Sequence, residues 1–216
     1  MRRLLIALAI TVATSSSVYG QHACKDPDIR ATIKEKFKEI GTSHPDFLQD
    51  ATIILNRASF QNIQWVGLYW EGPVSGALLA YDCEGNLLSI EQMGGVKSVQ
   101  FFSVPRAATP AAAVEHIWTG TGYYKIEYTL YGFINGKITK LWEHTKLESN
   151  FEKPWESGIV DSFEISPAVS RIRLIVDGVR KVYPSTKSGR SGYRVEKLPT
   201  ESYCWSDEKN TYSLCK

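Results

Sequence analysis

The stretch YYKIEYTLYGFINGKITKLW, running from Tyr123 to Trp142, decides the fold. An aromatic and β-branched run from Tyr123 to Phe133 is rich in residues that favour strands. Asn135-Gly136 then joins Phe133-Ile134 to Ile138–Trp142. Both turn residues tolerate positive φ, so this is the sequence mark of a tight two-residue hairpin. Strand-type segments extend in both directions from it. On the N-terminal side they are 63–70, 77–82, 87–93, 96–104 and 114–118, with Cys83-Glu84-Gly85-Asn86 as a turn. Residues 106–113 read as a loop or one helical turn starting at Pro110. On the C-terminal side, Asp177-Gly178 predicts a second hairpin between 171–176 and 179–183. A last hairpin carries Cys204 and Cys215. Residues 146–157 and 183–192 read as loops. Successive hairpins imply an antiparallel meander.

Ahead of the strands the period is helical. Ile29, Ile33, Phe37 and Ile40 form one stripe, with Asp26 as the cap, Pro27 in the first turn and Gly41 as the stop. A second stripe runs through Phe47, Leu48, Ala51, Ile54, Leu55 and Ala58. The expected fold is therefore α+β: an N-terminal helix pair packed on a mainly antiparallel β-sheet meander or partial barrel.

Residues 1–20 have the layout of a secretory signal peptide. Arg2 and Arg3 precede a short apolar run, Leu4 to Ala13, and small residues stand before Gln21. The mature chain, residues 21–216, is expected to be one disulfide-stapled domain in a periplasmic or extracellular setting. Removing the leader removes two arginines and no acids, so basic and acidic residues become equal in number. That balance leaves no footprint for nucleic acid. No second long apolar run follows, so no transmembrane segment is expected. Ala23 precedes Cys24 as in a lipid-anchor signal, but Gln21 stands where such signals need an apolar residue, which argues against an anchor.

Four cysteines in an oxidising compartment predict two bridges. Cys204 and Cys215 flank a polar turn and are brought together locally. Cys24 and Cys83 then pair by elimination. By chain entropy the longer loop stabilises by about 4–5 kcal/mol and the shorter by ~3 kcal/mol. A zinc site is disfavoured, because there is no Cys-x-x-Cys and no His at ligand spacing. No cofactor loop is read either. Gly120-Thr121-Gly122 is followed by a strand, where a phosphate loop needs a helix.

His116 and His144 each follow a glutamate, and neighbours on a strand point to opposite faces. No serine-nucleophile signature is present. Trp155, in the polar run Glu152–Glu156, is the aromatic that periodicity does not bury, and it is a candidate contact anchor. Trp142 and Arg190 join it as candidate binding residues. The chain therefore reads as an exported, non-catalytic binding protein of the inhibitor or envelope-interaction type, with a protein or cell-envelope component as partner. The alternative is a periplasmic hydrolase using His116 or His144 with a carboxylate such as Asp161.

Overall fold

The computed structural model describes residues 24–36, 53–60, 62–70, 75–102, 111–152, 157–167, 173–183 and 192–215. They form one helix, α1 (Ile29–Lys36), and two antiparallel sheets. The first sheet has the order β1 (Ile53–Phe60), β2 (Ile63–Trp70), β3 (Ser75–Tyr81), β4 (Leu87–Gly94). The second is a meander from β5 (Val96–Phe102) through β6 (Ala111–Gly120), β7 (Tyr123–Ile134), β8 (Lys137–Glu152) and β9 (Ser157–Pro167) to β10 (Arg173–Tyr183). Beyond β10 lie β12 (Glu201–Ser206) and β13 (Thr211–Leu214), and β11 (Arg194–Lys197) also pairs with β10.

The expected α+β fold with a helix pair is corrected by this architecture, which is almost entirely β. The second apolar stripe misled because Ile54, Leu55 and Ala58 lie on β1, which pairs with β2 from Ile53↔Trp70 to Phe60↔Ile63. A short apolar run fits either period, and here the ladder to β2 decides. The rest of that predicted helix lies outside the described residues. The first helix is present, but its cap is Asp28, whose Oδ1 accepts from Ala31 N at 2.9 Å. Ile29 and Ile33 bury against Val66, Leu68, Ala77, Leu79 and Tyr81 on one face of the first sheet.

The other face of that sheet packs on the second. Trp65, Leu78 and Ala80 meet Val96, Val99, Ala112, Val114, Tyr131 and Ile138. Gly67 makes the close approach of β5 sterically feasible, since a Cβ there would lie 2.5 Å from Val99 Cγ1. A third cluster, Leu130, Leu141, Trp142, Leu174, Val176 and Tyr212, fills the space where β13 comes back onto β8.

The Asn135-Gly136 hairpin is present, with φ of 51° and 79°. Asp177-Gly178 is not a hairpin. β10 runs straight through it and pairs with β9 from Leu174↔Pro167 to Tyr183↔Gly158. Gly178 is needed there for space, because a Cβ would sit 2.7 Å from the Phe163 ring. The dipeptide also marks where the partner on the other edge of β10 changes from β12 to β11. Thr200 Oγ1 donates to Asp177 Oδ1 at 2.5 Å, and Leu198 N donates to Gly178 O at 2.8 Å. The expected loop at 146–157 is strand as far as Glu152, and the expected loop at 106–113 is already β6 from Ala111.

Both expected cysteine pairs lie at disulfide distance: Cys24–Cys83 and Cys204–Cys215, with Cα separations of 4.4 Å and 5.1 Å. The first ties the approach to α1 onto the β3–β4 turn, where Lys25 N donates to Cys83 O at 2.9 Å.

The chain passes from one sheet to the other at Gly94-Gly95. Gly95 has φ of 62°, and its carbonyl accepts from Ile117 N at 2.7 Å. An added Cβ would lie 2.6 Å from Ile117 O. Gly95→Ala should therefore cost ~2 kcal/mol or more in urea unfolding, combining left-handed strain with a backbone clash. Gly136→Ala, with similar φ but nothing within 4 Å, should cost only about 1 kcal/mol. Equal losses at the two positions would contradict the corner geometry.

Candidate functional site

The corner leaves β4 as an edge strand of the first sheet, in contact with β8 of the second and sharing a cleft with β6, β7 and β8. Ser89 Oγ accepts from Ile138 N at 3.0 Å and fixes β4 to the start of β8. At the other end, His116 Nδ1 lies 3.0 Å from Gly94 O. A carbonyl only accepts, so this contact places a proton on Nδ1; in the neutral ring Nε2 is then the acceptor.

Between these two fixings is a cleft of about 220 Å³. Its lining includes three polar side chains that are more than nine-tenths buried: His116 (7% exposed), Thr129 (3%) and Tyr131 (6%). Among the described residues neither the Thr129 hydroxyl nor the Tyr131 hydroxyl has a hydrogen-bond partner. The enclosed side-chain polar atoms without a partner among the described residues are others, among them Trp65 Nε1 and Trp142 Nε1, so the Thr129 and Tyr131 oxygens are not sealed from solvent. Alternation along the strands puts them together. His116 and Trp118 are two apart on β6, and Glu127, Thr129 and Tyr131 are two apart on β7.

The rim is acidic. Glu91 comes from β4, Glu127 from β7 and Glu143 from β8. Glu127 is engaged at both oxygens, by Trp118 Nε1 at 2.8 Å and Lys125 Nζ at 2.7 Å. Burial pushes its carboxyl up, but these two bonds, with the charge of Lys125, outweigh that and hold it below its usual value. Glu143 is paired with Lys140 at 2.9 Å. Glu91 has no counter-charge among the described residues. Trp118 leaves 47% of its surface open to solvent while its nitrogen is held by Glu127. Burial, then the charges of Glu91 and Glu143, push the Tyr131 phenol up to about 12.

The other sequence candidates lie elsewhere. Trp142 is 6% exposed, inside the third cluster, T-shaped to Tyr128 at 6.5 Å and Tyr203 at 5.2 Å. Trp155 and Arg190 lie outside the described residues. His144 is stacked on Trp142 at 5.6 Å and meets the edge of Phe163 at 4.8 Å. Its Nδ1 bonds Thr145 O at 2.6 Å, and its Nε2 lies 3.3 Å from Glu201 Oε2. Glu201 also accepts from the Tyr203 hydroxyl. Asp161 joins neither histidine. It binds Arg180 through both oxygens, each at 2.8 Å. The hydrolase reading needs a histidine bonded to an acid and to a Ser or Thr hydroxyl. Among the described residues neither His116 nor His144 has that pair of bonds.

A second hollow, about 270 Å³, lies at the β6–β7 turn and is lined by Thr119, Gly122, Tyr123, Tyr124 and Phe151 among others. It is bounded by rings, glycine backbone and the side chains of Thr119 and Ser149. It offers no charged side chain, and the connection 153–156 next to it lies outside the described residues. The cleft under β4 is the better candidate. Trp118 and His116 could be singled out in the sequence. Tyr131, Thr129 and Glu91 could not, since their meeting depends on how one sheet lies over the other.

No protein family, characterised protein or solved structure matches this chain, so its cleft is read from its own chemistry.

A phenol whose folded pKa lies above its unfolded value contributes stability at lower pH and loses that contribution as pH rises through the folded value. Here the loss falls between the ordinary 10.0 and about 12. Tyr131→Phe should flatten the fall in stability across that window, read by urea unfolding at stepped alkaline pH. A variant whose alkaline limb superimposes on the parent's would contradict the placement of Tyr131.

Proposed function

We propose that this chain is an exported, non-catalytic binding protein of the inhibitor or envelope-interaction type, whose partner is a protein or cell-envelope component. Export is supported by the leader-like residues 1–20 and by the two cysteine pairs at bonding distance, because disulfides persist in oxidising compartments. No helix among the described residues is long and apolar enough to cross a membrane.

Binding is carried by one observation: the cleft under β4 is lined by Tyr131 and Thr129, whose hydroxyls have no partner among the described residues, and opens beside the exposed indole of Trp118. A ligand that supplied donors and acceptors to those hydroxyls would recover hydrogen bonds the folded chain leaves unmade. The two histidines are engaged otherwise. His116 braces the turn between the sheets, and His144 is packed among rings.

The test is capture from the native envelope fraction by the wild type and by Trp118→Ala in parallel. Trp118 is half exposed, so its truncation should leave the melting temperature nearly unchanged. As an anchor it should cost about 2 kcal/mol or more of binding. Undiminished capture by Trp118→Ala would contradict the assignment of this cleft. Turnover of an ester, amide or glycoside that His116→Ala abolishes in a folded protein would contradict the non-catalytic reading.

A further inference from the structure

The rim of the cleft carries one carboxylate with no partner, and this asymmetry bears on the ligand. Glu127 is saturated by Trp118 and Lys125, and Glu143 is paired with Lys140. Lys140 is the lysine of the lining, and its ammonium is already committed to Glu143. Glu91 remains without a basic partner among the described residues. Tyr131, a residue more than nine-tenths buried, also lines the cleft; its hydroxyl has no partner among the described residues and feels the charges of Glu91 and Glu143. His116 adds an acceptor nitrogen, since Nδ1–H is spent on Gly94 O. The carboxylate of Glu91 and the hydroxyls of Tyr131 and Thr129 can all accept, the two hydroxyls can also donate, and the Gln92 amide offers one acceptor and one donor group.

We infer that the cleft under β4 binds an organic cation, an ammonium or guanidinium group on a slender stem, between Glu91, the Tyr131 hydroxyl and the indole face of Trp118. This rests on the proposed binding role of the same cleft and names its ligand chemistry. Three features support it. An unpaired half-buried carboxylate favours a charge-assisted donor over a neutral one. An exposed indole held in place attracts a cation over its face. The volume, about 220 Å³, is below the roughly 300–1,000 Å³ of pockets for drug-sized ligands. It suits a single basic side chain or a small amine. A neutral sugar would use Trp118 and the hydroxyls but would leave Glu91 without a counter-charge. An anion would face Glu91, Glu127 and Glu143 together.

Two sources share this chemistry: a free amine, and a lysine or arginine side chain on a partner protein. Calorimetric titration of the full mature chain separates them. The probes are agmatine as a free guanidinium amine, a short peptide with one central arginine, the same peptide with citrulline in its place, and a neutral N-acetylglucosamine dimer. The expected result is binding of agmatine, the arginine peptide or both, with the citrulline peptide roughly tenfold weaker or worse. Glu91→Gln should weaken the cationic probe by about tenfold and reduce its salt dependence. Tyr131→Phe, which keeps the ring in the core, should also weaken it. Agmatine binding as well as the peptide indicates a free amine, and the peptide alone indicates a protein side chain.

Equal affinity for the arginine and citrulline peptides would overturn the inference, as would cation binding indifferent to both variants. Binding of the neutral dimer that Tyr131→Phe weakens, with none of the cations, would also overturn it while leaving the cleft as a binding site. No binding by any probe overturns the inference too. The binding reading itself then stands or falls on whether envelope capture depends on Trp118.

Discussion

The passage of the chain between its sheets at Gly94-Gly95 is the constraint on which the other features depend. Two hydrogen bonds hold it: Ile117 N to Gly95 O at 2.7 Å and His116 Nδ1 to Gly94 O at 3.0 Å. Because the corner is fixed, β5 lies against β2 in van der Waals contact at Gly67 and Val99, and Trp65 is sealed between the sheets. Because β4 ends at that corner, it overhangs β6 to β8 instead of pairing with them. The overhang is the cleft. The same histidine that closes the corner also lines the cavity, so the stability of the fold and the shape of the site share a side chain.

That dual position explains why the polar groups beneath β4 are left unmade. A sheet face covered by another sheet normally carries apolar residues, as Val114 and Ala112 do farther along. Thr129 and His116 interrupt that pattern at the cleft, His116 with Gly94 O as its partner. Natural sequences tend to break local rules of this kind at functional positions. Trp142 and His144 are the contrasting case. Their rings stack on one another and meet Tyr203 and Phe163 edge-on, away from the cleft, with Trp142 Nε1 enclosed there without a partner among the described residues.

Much of the β organisation could be read from sequence, because it is written in local turn chemistry. Asn135-Gly136 must take positive φ, and Cys83-Glu84-Gly85-Asn86 places Gly85 at φ 87°. The cysteine pairing followed from the terminal hairpin. What failed was decided by distant partners. Ile54, Leu55 and Ala58 recur at helical spacing, and the ladder to β2 overrides that pattern. Asp177-Gly178 has hairpin composition, but β9 runs alongside its whole neighbourhood and Phe163 needs the missing Cβ. The site was hidden for the same reason. Glu91 and Tyr131 lie on different sheets, and no spacing along the chain announces that they meet.

The most direct measurement of the account is the tautomer of His116, read by long-range nitrogen–proton correlation NMR on the labelled mature protein. The account predicts the ring proton on Nδ1, bonded to Gly94 O, with Nε2 unprotonated toward the cleft. A proton on Nε2, or a ring averaging freely between both tautomers, would contradict the corner and with it the cleft that the corner creates.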